Sequence, residues 1–286
     1  MERKQHFSVP GHPAMTSMRE IIRFAHFLVL FFFVLGCDSS RDSTRRQGGV
    51  ALSFDDHFIE EWYQFAPVLA RYHAKATFFL SCPTPLSQKE VAMLRTLQQA
   101  GHEVGYHGTI HGNATLLLRN EGAEGYLNTE IRPGLEYLRA AGFNPTSYAH
   151  PGGNHTARAD SVLLAQGFTI LRDVAKAERS IYGLPLYHIP PKYHPFVYYS
   201  AGSGPGVDAL LIDAEANISR NEIREALVKA RDTGTVLMLF GHKPLHSAPK
   251  PDEYGFQISF MRYLVEQADS LGLRFYTMSE LPALPR

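Results

Sequence analysis

The sequence predicts an α/β protein built around a mainly parallel sheet, and three features of residues 49–286 favour this class. Short apolar runs rich in β-branched and aromatic residues alternate with segments of helical periodicity. The runs are almost continuously apolar, which is typical of strands that helices cover on both faces. Polar side chains directly follow several runs, and parallel α/β folds gather functional groups at the carboxyl ends of strands. The strand–helix–strand order leaves an open sheet and a closed barrel as alternatives.

Seven strands and five helices are predicted. The strands are Val50–Phe54, Ala76–Leu80, Glu103–Tyr106, Ser147–His150, Thr169–Arg172, Thr235–Phe240 and Arg274–Thr277. The helices are an amphipathic segment from Trp62 to Tyr72, a segment capped by Ser87 that runs to Gln99, and Glu124–Ala141, Asn221–Arg231 and Ile258–Leu271. Pro133 should break or kink the third helix. The stretch Ile181–Gly206 is rich in Pro and Tyr and is predicted to be a long loop.

Composition excludes several classes of protein. The 28 Lys and Arg balance the 28 Asp and Glu, which argues against a nucleic-acid-binding protein and against an acidic disordered chain. Two cysteines in 286 residues exclude a disulfide scaffold. The length suggests one or two domains, and no internal repeat or second domain is indicated.

Residues 1–36 are predicted to be an export signal. Arg19 and Arg23 precede an apolar run from Phe24 to Leu35, which is shorter than the roughly 20 residues of a spanning helix. The run ends in VLGC at residues 34–37, which resembles a bacterial lipobox, and that resemblance implies lipidation of Cys37. An uncleaved signal anchor is the alternative.

The remaining chain is divided at residue 49. Residues 37–48 are polar and predict a flexible tether, and residues 49–286 form the predicted α/β domain. The expected location is therefore the periplasmic or cell-surface side of a membrane, with the lipid on Cys37 as anchor. The sequence does not indicate an oligomeric state.

Two histidines with a spacing of four residues predict a metal site. His107 and His111 follow a predicted strand, and on a helical turn this spacing directs both imidazoles toward one cation. Spacing alone is weak evidence in a chain with 14 histidines. The paired acids Asp55 and Asp56 strengthen it, because two carboxylates beside a buried strand need a compensating charge. A helix cap at Asp55 and a solvated Asp56 are the alternative.

Four sequence blocks, read together, resemble the polysaccharide deacetylase family, the NodB-homology or carbohydrate esterase 4 family. The blocks are LSFDD at 52–56, ATFF at 76–79, GHEVGYHGTIH at 101–111 and LFGH at 239–242. They occur in the family's order, and the resemblance spans about residues 49–280. It implies a distorted, incomplete (β/α)7 barrel and hydrolysis of acetyl groups, N-acetyl before O-acetyl, on a cell-envelope or extracellular glycan.

The resemblance also implies roles for five residues. Asp55 corresponds to the general base and His242 to the general acid, while Asp56, His107 and His111 correspond to the ligands of a divalent metal. Zn²⁺ is the first expectation, with Co²⁺, Ni²⁺ or Mn²⁺ as alternatives. Such an ion acidifies water and polarises the amide carbonyl, Asp55 takes a proton, and His242 protonates the departing amine.

The chain departs from the family pattern in three blocks. Ala149 stands where the family usually has an arginine that holds the base, and Gly108 stands where Ser or Thr is common. The family's Asp-Trp block has no match, because Trp62 is the only tryptophan. We expect Arg172 to orient Asp55 instead, while Asp173 is a candidate to support His242.

The following residues complete the predicted site. Substrate contacts are expected from the segment after the fourth predicted strand: His150, Pro151 and Gly153.

Two alternative functions remain at this point. One is a non-catalytic or weakly active glycan-binding lipoprotein, which the missing arginine favours, and the other is a hydrolase of another non-peptide C–N bond.

Overall fold

The computed structural model describes residues 47–175, 180–181, 184–185 and 189–285. The strands are β1 Gly49–Asp56, β2 Ala76–Leu80, β3 Glu103–Tyr106, β4 Ser147–Ala149, β5 Ile170–Val174, β6 Ser180–Ile181, β7 Leu184–Pro185, β8 Tyr198–Tyr199, β9 Gly206–Leu211, β10 Val236–Gly241, β11 Pro244–Leu245, β12 Phe256–Gln257 and β13 Arg274–Tyr276. The α-helices are α1 Ile59–Ala70, α2 Gln88–Gln99, α3 Ala114–Tyr126, α4 Arg132–Ala140, α5 Ala157–Ala165, α6 Arg220–Thr233 and α7 Ile258–Ser270.

Seven parallel strands form a closed barrel. They follow one another in the order β1, β2, β3, β4, β5, β9 and β10, and β10 pairs with β1 to close the ring. The predicted (β/α)7 barrel is therefore confirmed. Between β5 and β9 the described residues contain no α-helix, whereas α-helices fill the other connections along the chain.

The alternation of side chains along the strands separates two apolar layers. Outward-facing side chains such as Leu52 and Phe54 pack against the helices, where Phe54 stacks on Phe256 with ring centroids 5.0 Å apart. Inward-facing side chains fill the barrel with a smaller cluster that includes Ala51, Phe79 and Phe240. Asp55 follows Ala51 by four residues and therefore points into the barrel as well.

The structure corrects the predicted set of strands. β9 lies directly after the predicted loop and was not predicted, yet it supplies the sixth strand of the ring. The predicted strand at Arg274–Thr277 forms as β13, but it pairs only with β1 and lies outside the closed ring. The glycine and proline residues just before β9 concealed it, because they are typical of turns.

The predicted helix Glu124–Ala141 is three elements rather than one. α3 ends at Tyr126, a π-helical turn spans Leu127–Ile131, and α4 begins at Arg132. Pro133 lies in the first turn of α4, where its missing N–H removes no intrahelical hydrogen bond. The proline therefore starts a new helix instead of kinking a long one.

The predicted signal, the lipidation residue Cys37 and nearly all of the predicted tether lie outside the described residues. The end of the predicted tether belongs to the barrel, because the Gly48 carbonyl accepts a hydrogen bond from the N–H of Arg274 at 3.2 Å. Within the described part of the chain, none of the helices is long and apolar enough to cross a membrane.

Candidate active site

Three side chains at the carboxyl ends of β1 and β3 bring possible metal ligands together. Asp56 ends β1, and His107 and His111 lie in the loop after β3. Oδ1 of Asp56 lies 3.6 Å from Nε2 of His107 and 3.5 Å from Nε2 of His111. The predicted ligand residues are therefore adjacent in space. One carboxylate and two imidazoles suit a divalent transition metal and leave positions open for water and substrate.

His107 and Asp56 are oriented to fit such an ion. Nδ1 of His107 donates a hydrogen bond to the Ala149 carbonyl at 2.8 Å, which leaves the lone pair on Nε2 facing Asp56. Burial lowers the pKa of His107 to about 4, so its imidazole is neutral at physiological pH. The Tyr254 hydroxyl donates to Oδ2 of Asp56 at 2.6 Å and leaves Oδ1 for the histidines. The donor set fits a divalent cation.

Asp55 lies beside this group as a buried, ion-paired carboxylate. It is 2% exposed, and the Arg172 guanidinium donates a hydrogen bond to its Oδ2. Burial raises the pKa of Asp55, but the charge and hydrogen bond of Arg172, together with His107 and His242, outweigh that effect and hold the pKa below its usual value. Its other oxygen, Oδ1, is buried without a hydrogen-bond partner among the described residues. Asp55 thus has one oxygen held and one available as a proton acceptor.

Arg172 reaches Asp55 from the inside of the barrel. The side chain is fully buried, and its guanidinium lies 4.5 Å from the ring centroid of Phe240 and 5.5 Å from that of Phe79. These aromatic faces offset part of the cost of burying the cation. Arg172 therefore contacts Asp55, and its orienting role stays a prediction. The cap alternative for Asp55 does not apply, because Phe58 occupies the N-cap position of α1.

His242 follows β10 and is held by a carboxylate that the sequence analysis missed. Nδ1 of His242 lies 2.6 Å from Oδ2 of Asp213, and the His242 main-chain N–H donates to Oδ1 of Asp213 at 3.1 Å. Burial lowers the pKa of His242, but the Asp213 hydrogen bond and the carboxylates of Asp55 and Asp56 raise it above its usual value. The raised pKa favours the protonated form of His242.

Asp173 does not contact His242 and belongs to a separate network. Its Oδ2 lies 2.7 Å from Nε2 of His155, whose Nδ1 is 3.2 Å from Asp160. The two carboxylates raise the pKa of His155 to about 10. Asp213, rather than Asp173, supports His242, and the parallel pairing of β9 with β10 brings it to that position.

The predicted substrate contacts after β4 are less open than expected. His150 is 1% exposed and its Nε2 lies 3.0 Å from Asp160, so its side chain faces the interior rather than a substrate. Pro151 and Gly153 are also buried, in a 3₁₀ turn. Substrate contact by Pro151 and Gly153 stays a prediction. His150, His155 and Asp160 are the second compact histidine–carboxylate group among the described residues.

Sequence reasoning missed two contributors to the site, Asp213 and Tyr254. Asp213 follows the apolar run at 209–212, so a strand prediction there would have placed it among the polar residues at strand ends. Tyr254 lies 198 residues from Asp56 in the chain, and no local pattern marks it.

The fold and the site together define a NodB-like (β/α)7 barrel with a possible metal group beside a carboxylate and a histidine. The family model described as polysaccharide deacetylase matches residues 42–171. Over these residues the chain resembles the polysaccharide deacetylase family. No curated protein matches it in sequence.

Solved structures share the barrel at low sequence identity. A putative polysaccharide deacetylase from Mycobacterium smegmatis is 15% identical with a TM-score of 0.55, over 82% of this chain and 90% of that one. A chitin deacetylase from Colletotrichum lindemuthianum is 17% identical with a TM-score of 0.53, over 82% and 88%. The peptidoglycan deacetylase PdaC from Bacillus subtilis is 16% identical with a TM-score of 0.51, over 83% and 91%. At these identities the similarity concerns the fold.

Proposed function

We propose that this protein is a metal-dependent hydrolase that removes acetyl groups from a glycan, with N-acetyl groups preferred. The observation that carries the proposal is the pairing of each candidate acid–base group with its own partner beside the possible metal ligands. Asp55 is paired with Arg172, and His242 is paired with Asp213. The match of residues 42–171 to the polysaccharide deacetylase model supports glycan deacetylation.

The protonation states of the site suit hydrolysis of an amide. When held by Asp56, His107 and His111, a Zn²⁺-type ion supplies acidification of water and polarisation of the acetyl carbonyl. Asp55 accepts the proton of the attacking water at Oδ1, while Arg172 keeps the carboxylate ionised and oriented. His242 donates a proton to the sugar nitrogen as the C–N bond breaks, so that acetate and an amine are released. An amine needs this proton to leave, which favours N-acetyl substrates.

Zn²⁺ is the proposed metal, with Co²⁺, Ni²⁺ or Mn²⁺ as alternatives. Two imidazoles and one carboxylate suit these ions better than Ca²⁺ or Mg²⁺, which prefer oxygen ligands.

The non-catalytic alternative depended on the missing arginine at position 149. Arg172 contacts the carboxylate that this arginine would serve, which weakens that alternative.

The surroundings of the site support a carbohydrate ligand. The ring of Tyr254 lies 5.0 Å from that of His242 at an angle of 84° and is 41% exposed, which offers an aromatic surface to a sugar ring. Ile110, beside His111, is 56% exposed. These two exposed apolar side chains beside the possible metal ligands offer contact surface to a sugar.

Acetate release tests the proposal. Purified protein loaded with Zn²⁺ should release acetate from N-acetylated chito-oligosaccharides or peptidoglycan, and Asp55→Asn should abolish release while still binding the metal. Glu266→Gln, on the outer helix α7, is the matched control. Metal binding without Asp55-dependent acetate from any glycan would favour the binding protein, and release of ammonia or amine from non-glycan amides would favour the other hydrolase.

We also propose that Cys37 anchors the protein by a lipid on the outer side of a membrane, where envelope or extracellular glycans are accessible. The lipobox-like residues 34–37 support this location. The wild type should incorporate a radiolabelled fatty acid and sediment with membranes, and Cys37→Ser should do neither. Equal sedimentation of both proteins without label would indicate an uncleaved signal anchor.

A further inference from the structure

The candidate ligand His111 stands on a loop rather than on a strand or helix. Its side chain is 47% exposed, and its backbone has a left-handed φ of 57°. Non-glycine residues are uncommon in this conformation, and contacts with the surroundings help to maintain it. Something must therefore hold the main chain between His107 and α3 in place.

Glu130 holds this loop through hydrogen bonds to its main chain. It lies in the π-helical turn between α3 and α4 and is fully buried. Its Oε2 accepts a hydrogen bond from the N–H of Ile110 at 3.2 Å, and its Oε1 accepts one from the N–H of Gly112 at 2.9 Å. The Glu130 carbonyl also accepts from the N–H of Thr109 at 2.8 Å. The two carboxylate bonds flank His111 on both sides.

Gly108 makes room for this carboxylate. Gly108 has a φ of 85°, and a Cβ atom there would lie 1.9 Å from Oε1 of Glu130. Any larger residue would both strain the backbone and displace the carboxylate. Gly108 thus leaves the space that the Glu130 carboxylate occupies, and the two residues form one unit.

A carboxylate is the side chain that this loop requires. Two main-chain N–H groups point at the same buried side chain, and a carboxylate offers an acceptor to each. Glutamine has almost the same shape, but its NH₂ group would face one of the two N–H donors and leave that amide unsatisfied.

We propose that Glu130 is a positioning residue for the candidate metal site: by bonding the amides of Ile110 and Gly112, it keeps His111 facing Asp56. The inference rests on the metal site of the proposed function. It adds a residue that touches neither metal nor substrate and acts through His111. Loss of these hydrogen bonds should make the loop more mobile. It should weaken metal binding only in proteins that retain His111 as a ligand.

A double-mutant cycle tests this role. Zn²⁺ affinity is measured by competition with a chromophoric chelator for wild type, Glu130→Gln, His111→Ala and the double variant. We expect Glu130→Gln to weaken Zn²⁺ binding about 10-fold in the wild-type background, as for other residues that orient metal ligands, and less than 2-fold in the His111→Ala background. Equal losses in both backgrounds, or no loss in either, would overturn the proposal.

Amide hydrogen exchange separates this inference from the proposed function. In Glu130→Gln, the amide that the new NH₂ group faces, that of Ile110 or Gly112, should exchange at least 10-fold faster than in wild type, whether or not metal is present. The control Glu136→Gln, on the exposed face of α4, should change neither exchange nor affinity. Unchanged exchange in Glu130→Gln would refute the inference. A wild type that binds none of Zn²⁺, Co²⁺, Ni²⁺ and Mn²⁺ would refute the metal-dependent function, and the exchange rates alone would then show whether Glu130 holds the loop.

Gly108→Ala disturbs the contact between residue 108 and the Glu130 carboxylate while Glu130 itself is unchanged. It should weaken Zn²⁺ binding to a similar extent, and its effect should not add to that of Glu130→Gln. If Glu130→Gln does not fold, Gly108→Ala with and without His111→Ala gives the same cycle. Full Zn²⁺ affinity in Gly108→Ala would contradict the proposed unit.

Discussion

Oδ2 of Asp213 lies 2.6 Å from Nδ1 of His242, and the other oxygen of Asp213 accepts the main-chain N–H of the same histidine. One buried carboxylate therefore fixes both the ring and the backbone of the proposed acid. It also selects the tautomer, because Nδ1 must carry a proton in order to donate to Asp213. The second nitrogen, Nε2, is then the one that can deliver a proton to a leaving group.

Asp213→Asn should impair deacetylation most strongly at alkaline pH. Asp213 helps to raise the pKa of His242, so its loss lowers that pKa and leaves less protonated acid as the pH rises. We expect the basic limb of the kcat/KM profile to move to lower pH, with activity at pH 8 reduced about 100-fold. Asp269→Asn, on the exposed end of α7, should leave the profile unchanged. A uniform loss at all pH values would instead indicate misplacement of the histidine.

Arg172→Ala should remove activity and destabilise the barrel. The substitution leaves the Asp55 carboxylate buried without its cation, and uncompensated buried charges cost about 3 kcal/mol or more. Acetate release should fall at least about 100-fold. Urea unfolding and initial rates measure the two effects, and Arg158→Ala on the exposed face of α5 is the control. Full activity of Arg172→Ala would contradict the orienting role.

Tyr254→Phe should weaken metal binding with little effect on folding. The lost hydroxyl holds Oδ2 of Asp56 at 2.6 Å, and residues that orient metal ligands contribute about 10-fold to affinity. The phenyl ring still packs beside His242. Zn²⁺ competition with a chelator measures the change, while Tyr63→Phe, on the outer face of α1, should behave as wild type. An unchanged affinity would mean that Asp56 is held adequately by other contacts.

His102→Asn should reduce the sensitivity of folding to acid. His102 is 5% exposed, and its Nδ1 accepts a hydrogen bond from the N–H of Ala76 at 3.1 Å, so it must be neutral in the native state. Burial lowers its pKa to about 4. A folded-state pKa below the unfolded value of about 6.5 gives stability that is present above pH 6.5 and is lost as the pH falls toward 4.

The measurement is urea unfolding of the metal-free protein at pH 7, 5.5 and 4. The side-chain oxygen of asparagine can accept the same N–H without titrating, so the decline from pH 7 to 4 should be smaller in the variant by on the order of 2 kcal/mol. His107 titrates equally in both proteins and cancels in the comparison. Identical declines would show that the His102 hydrogen bond does not control acid stability.

Some elements of this fold are determined by residues close in the chain, and others by contacts between distant residues. Val50–Phe54 and Ala76–Leu80 were recognisable as strands because buried parallel strands are continuously apolar over their own length. β9 was not recognisable, because the Gly- and Pro-rich residues before it have the signature of a turn. Within Glu124–Ala141, Pro133 marks the start of α4, but no local pattern marks the π-helical turn from which Glu130 contacts the His111 loop.

By itself, the sequence determined the α/β class, the position of Asp55 and Asp56 after a buried strand, and the spacing of His107 and His111. These features depend on residues that are close in the chain, so their patterns are visible without a fold. Only the tertiary structure decided which partner each group has: Arg172 for Asp55 across 117 residues, Tyr254 for Asp56 across 198, and Asp213 for His242 across 29. Closure of the barrel brings the carboxyl ends of β1, β5, β9 and β10 to one face, and no local pattern specifies which side chains meet there.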